Sequence, residues 1–196
     1  KLFPAQSKNI SMTLTPMVYT ARLVKKQHPG CKVVFIGPCA AKKLEAIRED
    51  IRSDVDFVLT FEELQGMLEA KEIDFEQLDD SAEMDQATAT GRGFAVSGGV
   101  AGAVERLIHE TNPDMEVKIA RADGLRDCRK LMQQAKAGKY KGYLLEGMAC
   151  PGGCVAGAGT LLNVEHATRI INRYAGEASK TSPLESNYRG IEENLD

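Results

Sequence analysis

The chain has 196 residues, of which 43% are hydrophobic and 27% are charged, and its formal net charge is −3. This length and composition fit one compact domain, or one lobe of a larger one, and are ordinary for a soluble globular protein. No stretch approaches the roughly 18 apolar residues of a membrane span, and basic residues are not clustered, so we expect neither a membrane helix nor a nucleic-acid partner. Five cysteines are an odd number and too few for a disulfide scaffold. They predict reduced thiols in an anaerobic cytoplasm.

The first half of the chain predicts two helices and two strands. In chain order they are a helix at 11–27, a strand at 31–37, a strand at 56–59 and a helix from Thr60 onward. Thr60 stands three residues before Glu63, which is the spacing of a capping box, so Thr60 is predicted to be the N-cap. Residues 71–92 are acidic and polar and are predicted to form a surface excursion.

The second half predicts three helices and two strands. They are a helix from Ser97 to about Glu110, a strand at 116–120, a helix at 125–137 closed by Gly138, a strand at 143–146 and a helix at 164–175. Strands that alternate with helices predict an α/β fold with a partly parallel β-sheet flanked by helices. We assign 1–178 to this folded part and 179–196 to a polar C-terminal tail, which is expected to be poorly ordered.

Two cysteine-containing segments each follow a predicted strand. The first cysteine box is residues 37–45, Gly-Pro-Cys-Ala-Ala-Lys-Lys-Leu-Glu, and the second cysteine box is residues 146–159, which holds Cys150, Cys154 and a glycine run. In open α/β sheets, ligands gather at the carboxyl ends of strands. Thiolates this close to glycine indicate an iron–sulfur cluster, because soft sulfur ligands suit iron and glycine lets the backbone approach inorganic sulfide.

The local spacing suggests how each box could bind a cluster. Cys150 and Cys154 are four residues apart, so a helix starting at Pro151 would place both sulfurs on one side, and its first N–H groups would favour an anionic cluster. Gly152 and Gly153 would leave room for that cluster. In the first box, Lys42 could offer a charged donor to an anionic ligand. Glu45 follows at helical spacing and could pair with Lys42.

Other interpretations of the same residues stay open at this point. Cys39 could be a buried thiol, and Cys150 with Cys154 could be half of a zinc site, although structural zinc sites usually use two such cysteine pairs. Gly98 and Gly99, at the start of a predicted helix, could cradle an anion or simply permit close packing.

The two boxes resemble the second and third signatures of the [FeFe]-hydrogenase (iron-only hydrogenase) catalytic domain. The second signature is matched by Cys39, Lys42 and Glu45. The third is matched by Glu146, Met148, Ala149, Cys150, Gly152, Gly153 and Cys154. Residues 94–100 are also similar to the family's segment that ends in Ser/Thr-Gly-Gly-Val. The resemblance implies that 1–178 is the C-terminal lobe of the two-lobed H-cluster domain.

The resemblance also implies an H-cluster, which is a [4Fe-4S] cubane joined through one cysteine thiolate to a diiron subcluster carrying CO, cyanide and a dithiolate. Cys39, Cys150 and Cys154 would ligate the cubane, and Cys154 would bridge to the diiron subcluster. The catalytic positions would be Lys42, which would bind a cyanide, and Met148, which would pack near the bridging CO. The remaining cofactor-binding positions would be Pro38, Glu45, Gly98, Gly99, Gly152 and Gly153.

The family's first signature, which supplies the fourth cubane ligand, has no match in this chain. Cys31 and Cys128 are poor substitutes, because Cys31 precedes the strand that delivers Cys39 and Cys128 lies in a predicted helix. We therefore expect this chain to be a fragment whose partner is the upstream part of the same polypeptide. The full-length protein would interconvert H2 with protons and electrons, using an electron carrier such as ferredoxin. The isolated chain is expected to be inactive and to lack the cofactor.

Two related functions are alternatives. Gly37 replaces the family's usual Met, and Phe3 falls near the position of a proton-relay Ser, which favours a hydrogen- or redox-sensing protein. The run Lys42–Ala46 is similar to that of hydrogenase-like proteins of cytosolic iron–sulfur assembly, which lack the diiron subcluster.

Overall fold

The computed structural model describes residues 2–79 and 87–190, and the chain divides into two compact units. The described residues of the first unit lie within Lys1–Met12, Gln86–Ala156 and Asn163–Arg189. Those of the second unit lie within Thr13–Asp85, Gly157–Leu162 and Gly190–Asp196. The sequence did not predict this division, in which the chain crosses from the first unit to the second directly after Ala156.

The described residues form seven α-helices and four strands. In chain order they are α1 (Pro16–Gln27), β1 (Val34–Ile36), α2 (Ala41–Ala46), β2 (Phe57–Leu59), α3 (Phe61–Glu69), α4 (Ala89–Arg92), α5 (Gly99–Thr111), β3 (Lys118–Asp123), α6 (Leu125–Lys136), β4 (Tyr143–Met148) and α7 (Val164–Gly176). Short 3-10 helices cover Pro4–Asn9, Phe75–Gln77, Gly93–Ala95, Cys154–Ala156 and Pro183–Glu185. No helix in 2–79 or 87–190 is long and apolar enough to cross a membrane.

The second unit is built on the parallel pair β1 and β2, with Phe35 opposite Val58. Its buried core is formed by α1 and by residues near the strands, namely Met17, Val18, Ala21, Ala46, Ile51 and Val55. Pro16 occupies the first turn of α1, where its missing N–H costs nothing. The predicted capping box is confirmed at the start of α3, because Thr60 Oγ1 accepts from the Glu63 amide and Glu63 accepts from the Thr60 amide.

The first unit is built on the parallel pair β3 and β4, whose six residues run in register from Lys118 opposite Tyr143 to Asp123 opposite Met148. The predicted strand at 116–120 is thus displaced, because pairing with β4 and not local alternation sets where β3 begins and ends. The α/β fold with short parallel sheets flanked by helices is confirmed, and the described residues of each unit contain one two-stranded sheet.

The predicted surface excursion and the predicted C-terminal tail both contain regular structure. The predicted surface excursion at 71–92 contains a 3-10 turn and the short helix α4, and 80–86 lie outside the described residues. The expectation of a poorly ordered tail is wrong for 179–190. There Ser182 is buried, caps the 3-10 helix Pro183–Glu185 and donates its hydroxyl to Glu110 of α5. The remaining residues, 191–196, lie outside the described part.

Candidate metal centre

The first cysteine box leaves the carboxyl end of β1, as predicted. The Gly37 amide donates to the Leu59 carbonyl at 3.1 Å, which extends the parallel pairing to the edge of the box. Cys39 follows, half-buried, and its carbonyl accepts from the Lys42 amide at 3.2 Å as the chain turns into α2. The pairing of β1 with β2 therefore fixes the backbone that carries the Cys39 thiol.

Lys42 and Glu45 form the predicted pair. Lys42 Nζ lies 2.5 Å from Glu45 Oε2, and Thr15 Oγ1 donates to Glu45 Oε1 at 2.6 Å. Burial acts to raise the pKa of Glu45, but the hydrogen bonds from Lys42 and Thr15 outweigh it, and the net pKa is lowered. Both side chains are half-buried, and the ionised Glu45 carboxylate holds the Lys42 ammonium within the first box.

A glycine run packs on the first box. The Gly159 amide donates to the Pro38 carbonyl at 2.9 Å, and a Cβ on Gly157 would lie 2.3 Å from the same oxygen. A Cβ on Gly159 would lie 2.4 Å from Cβ of Thr60. Only glycine fits these two positions, a role that sequence reasoning missed although the run after Cys154 was the available signal.

Gly37, which replaces the family's usual Met, is buried. A Cβ at this position would lie 2.8 Å from the Phe35 ring, so the Phe35 side chain fills the space beside it. Close packing against Phe35 of β1 accounts for this glycine, and the sensor interpretation that depended on Gly37 stays a prediction.

The second cysteine box begins within β4 and continues as a turn over 149–153, and the helix starting at Pro151 that the cysteine spacing allowed does not form. Gly152 and Gly153 have φ of +96° and +98°, values that an α-helix excludes. The Gly153 amide donates to the Cys150 carbonyl at 3.0 Å, and a 3-10 helix begins only at Cys154. The idea that consecutive helical N–H groups face a cluster is therefore wrong for this segment.

Contacts within the first unit hold this turn in place. The Gly152 amide donates to Asp123 Oδ2 at 2.9 Å, and the Gly152 carbonyl accepts from the Ser97 amide at 2.9 Å. A Cβ on Gly152 would lie 2.7 Å from Val164, and one on Gly153 would lie 2.5 Å from the Ser97 nitrogen. The protein's own atoms fill the space beside both glycines, so close packing explains them. Their assignment to a cofactor pocket stays a prediction.

Gly98 and Gly99, at the start of α5, also have packing reasons. Gly98 has a φ of +89° and lies under the Arg121 guanidinium, and a Cβ on Gly99 would lie 2.0 Å from the Gly93 carbonyl oxygen. Of the two interpretations open from the sequence, the structure provides direct support for close packing.

Glu146 is a site residue whose contact sequence reasoning did not anticipate. Its side chain is buried, and Oε1 accepts from the Ala101 amide in the first turn of α5 at 3.2 Å. The only local signal was a carboxylate near the end of an otherwise apolar strand. Because Ala101 is 45 residues away in the chain, spacing alone could not reveal the pair.

The other two cysteines have separate surroundings. The Cys128 thiol donates to the carbonyls of Ala122 and Met148 at 3.4 and 3.3 Å. Burial, followed by the charge of Asp123, raises the pKa of the Cys128 thiol. Cys31 lies before β1, at the end opposite to Cys39. The expectation that both are poor cluster ligands stays a prediction.

The donors that remain in the two boxes suit an iron–sulfur cluster by their chemistry. The carboxylates Glu45 and Glu146 are already engaged by Lys42 and by an α5 amide. The cysteines of both boxes add sulfur donors, which favour iron and zinc over magnesium and calcium. Cys39 and Cys150 are half-buried and Cys154 is exposed.

The convergence of these sulfurs stays a prediction. Cys39 belongs to the second unit, and Cys150 and Cys154 belong to the first. Throughout 2–79 and 87–190, no group of three His, Cys, Asp or Glu side chains is placed to hold a metal ion.

Comparison with known families gives one match that spans most of the chain. A family model described as "Iron only hydrogenase large subunit, C-terminal domain" matches residues 1–158.

Curated relatives fall into two groups by name. The chain is 32% identical over 174 residues to the periplasmic [Fe] hydrogenase large subunit of Nitratidesulfovibrio vulgaris, with 72% of this chain and 41% of that protein covered. It is 33% identical over 199 residues to a probable cytosolic Fe-S cluster assembly factor of Drosophila mojavensis, with 76% of this chain and 42% of that protein covered. The chain thus spans about two fifths of the length of these relatives.

Solved structures share the fold. The [FeFe]-hydrogenase HydA1 from Chlamydomonas reinhardtii, in one variant, matches with a TM-score of 0.69 and 21% identity, covering 92% of this chain and 64% of that chain. An [FeFe]-hydrogenase described for oxygen inactivation of its H cluster 2Fe subcluster matches with a TM-score of 0.70 and 22% identity, covering 92% and 63%.

Proposed function

Since the chain belongs to the family of the iron only hydrogenase large subunit, C-terminal domain, we propose that its two cysteine boxes together hold one iron–sulfur cluster, with Cys39, Cys150 and Cys154 as ligands. The observation that carries the proposal is the contact of Gly157 and Gly159 with Pro38. Gly157, three residues after Cys154, packs against the backbone of Pro38, which is the residue before Cys39. Both boxes also follow the carboxyl ends of parallel strands, where ligands of α/β folds gather.

The cluster is an H-cluster, a [4Fe-4S] cubane with a diiron subcluster, in the complete polypeptide. When bound, this group supplies the redox chemistry that interconverts H2 with protons and electrons, and the chain holds and tunes it. Lys42 offers its ammonium to an anionic ligand of the group, and Glu45 keeps the ammonium oriented. Met148, half-buried at the end of β4, contributes an apolar thioether wall.

The proposal also covers the fourth cluster ligand, the electron carrier and the location of the protein. The upstream part of the polypeptide would supply the fourth cubane ligand, and an electron carrier such as ferredoxin would be the redox partner. The cytoplasm is the proposed location, although the relatives differ, since one is periplasmic by name and another is cytosolic. We expect the isolated chain to be inactive, because one cubane ligand and half of the pocket would be missing.

A second candidate function is iron–sulfur cluster assembly without a diiron subcluster. It is favoured by the assembly factors of several insects, which are as similar to this chain as the hydrogenases are, with 30% to 33% identity in three of them. In that case the cysteines would hold a cluster, but Lys42 and Met148 would face no CO or cyanide.

Infrared spectroscopy of the complete polypeptide, matured anaerobically, distinguishes these functions. The hydrogenase proposal expects bands from bound CO and cyanide, together with H2 evolution from reduced methyl viologen. An iron–sulfur EPR signal without those bands would overturn the hydrogenase assignment in favour of assembly. The isolated chain should evolve no H2 under the same conditions, and robust turnover by it would contradict the account of the missing enclosure.

A further inference from the structure

Glu146 is the one charged side chain that is buried among the residues the structure describes, with 8% of its surface exposed. Burying a carboxylate is unfavourable unless hydrogen bonds or opposite charges compensate it. A buried carboxylate four residues before Cys150 therefore needs a compensating partner.

Its partner is the N-terminus of α5. Gly99 is the first residue of this 13-residue helix, and the amide that donates to Glu146 Oε1 is that of Ala101, the third residue. Helix N-termini leave such amides unpaired and carry a partial positive charge, which favours an anion. The residue at the N-cap position is Gly98, which has no side chain to accept this bond. Glu146 thus provides from β4 the cap that the sequence of α5 lacks.

The second carboxylate oxygen has a different environment. Glu146 Oε2 is buried and has no hydrogen-bond partner in the described part of the chain. Buried acceptors in folded proteins are nearly always satisfied, often by an ordered water. The carboxylate therefore has one oxygen committed to α5 and one that still requires a donor.

The contacts around Glu146 join two segments of the first unit. Besides the Glu146 bond, the Ser97 amide donates to the Gly152 carbonyl at 2.9 Å, and the backbone of residues 95–97 packs against Gly153. Ser97 and Ala101, at the start of α5, are thus bonded to Gly152 and Glu146 of the second cysteine box. A shift of either segment must move the other.

We propose that Glu146 is a positioning residue that caps α5 from outside the helix and thereby fixes the second cysteine box. This inference rests on the proposed function only in treating that box as the cluster site. Without the Glu146 cap, residues 97–101 and the second cysteine box lose one of the two hydrogen bonds described between them.

Amide hydrogen exchange in the metal-free protein tests this link without depending on any cofactor. In Glu146→Ala, exchange of the Ala101 and Ser97 amides should accelerate by about tenfold or more, the size expected for losing a hydrogen bond to a charged group. Amides of α1, in the other unit, should be unchanged. Glu110→Gln is the matched control, because it removes a carboxylate at the opposite end of α5, and it should leave Ala101 unchanged. Unaltered protection of Ala101 in Glu146→Ala would overturn the proposal.

Glu146→Gln provides a second measurement if Glu146→Ala does not fold. Glutamine keeps a carbonyl oxygen that can accept from Ala101, but it removes the charge. The Ala101 amide proton should therefore show the largest upfield shift among the amides of α5, and an unmoved Ala101 resonance would overturn the capping role.

Iron content separates this inference from the proposed function. In the reconstituted complete polypeptide, Glu146→Ala should retain less iron per chain than Glu110→Gln. Equal iron retention would overturn the positioning role, even with Ala101 exchange accelerated. Failure of the unsubstituted protein to bind iron would instead refute the proposed function, and the exchange result on the metal-free protein would still decide the capping role.

Discussion

The Gly159 amide donates a 2.9 Å hydrogen bond to the Pro38 carbonyl, which joins the end of the second cysteine box to the first. Gly157 and Gly159 are both buried, and neither position has room for a Cβ. The glycine run after Cys154 is therefore a packing element against Pro38 and Thr60, and its sequence is dictated by close backbone approach.

The first prediction concerns this contact. Gly159→Ala should lower the free energy of unfolding of the chain by about 1–3 kcal/mol, because the added methyl group overlaps Thr60 and forces the backbone to move. Gly66→Ala is the control in α3, where nothing lies within 4 Å of the added Cβ. It should raise stability by about 0.5–1 kcal/mol. Urea denaturation measures both, and equal effects would contradict the packing role.

A second prediction compares two glycines of one helix. Gly99→Ala places a Cβ 2.0 Å from the Gly93 carbonyl oxygen, whereas Gly102→Ala meets nothing within 4 Å. The first should destabilise the chain by about 1–3 kcal/mol and the second should stabilise it by about 0.5–1 kcal/mol. Thermal and urea unfolding of the two variants provide the measurement. Equal stability of Gly99→Ala and Gly102→Ala would contradict the close contact between Gly99 and the Gly93 carbonyl.

The third prediction concerns pH. The folded pKa of Glu45 is lowered from its usual 4.5: burial raises it, but the hydrogen bonds from Lys42 and Thr15 prevail. A lowered pKa means that the ionised carboxylate stabilises the fold above pH 4.5, and that this contribution is lost as pH falls through the folded pKa. The stability difference between the unsubstituted chain and Glu45→Gln should therefore be largest near neutral pH and shrink on acidification. Urea titrations from pH 7 to about pH 3 measure it.

The other carboxylates provide an internal control. They titrate equally in both proteins, so their contributions cancel in the stability difference between the unsubstituted chain and Glu45→Gln. A stability difference that stays constant, or grows on acidification, would contradict the ion pair between Lys42 and Glu45.

The fourth prediction ranks the thiols. Cys128 is half-buried, and burial followed by the charge of Asp123 raises its pKa, so it has little thiolate at neutral pH. Cys154 is exposed. In the metal-free chain, iodoacetamide should modify Cys154 well before Cys128, as followed by peptide mass spectrometry. Modification of Cys128 first, or at the same rate, would show that its contacts with Ala122 and Met148 do not protect it.

Local patterns predicted those features that depend on nearby residues. The Thr60–Glu63 capping box, the Lys42–Glu45 pair and the end of α6 before Gly138 each involve residues three or four apart, or a single glycine. At such separations the geometry of one helical turn decides the contact, so the sequence is sufficient.

Features set by distant contacts were not predictable in this way. The turn at Gly152 and Gly153 replaces the expected helix because Ser97 and Asp123 bind its backbone. The fold of the tail at Ser182 depends in the same way on Glu110, which is 72 residues away. The division into two units was missed for a related reason, since the chain changes unit within the glycine run that was treated as one box.

The central claim is that thiols from both boxes ligate one cluster, and cysteine substitution tests it most directly. Iron and acid-labile sulfide would be measured, with EPR of the reduced protein, in the anaerobically reconstituted complete polypeptide and in its Cys39→Ser, Cys150→Ser and Cys154→Ser variants. Cys31→Ser is the control. The account predicts that each of the three substitutions lowers cluster content or alters the EPR signal, and that the control does neither. A cluster unaffected by Cys39→Ser but lost in the other two variants, or zinc bound in place of iron, would contradict it.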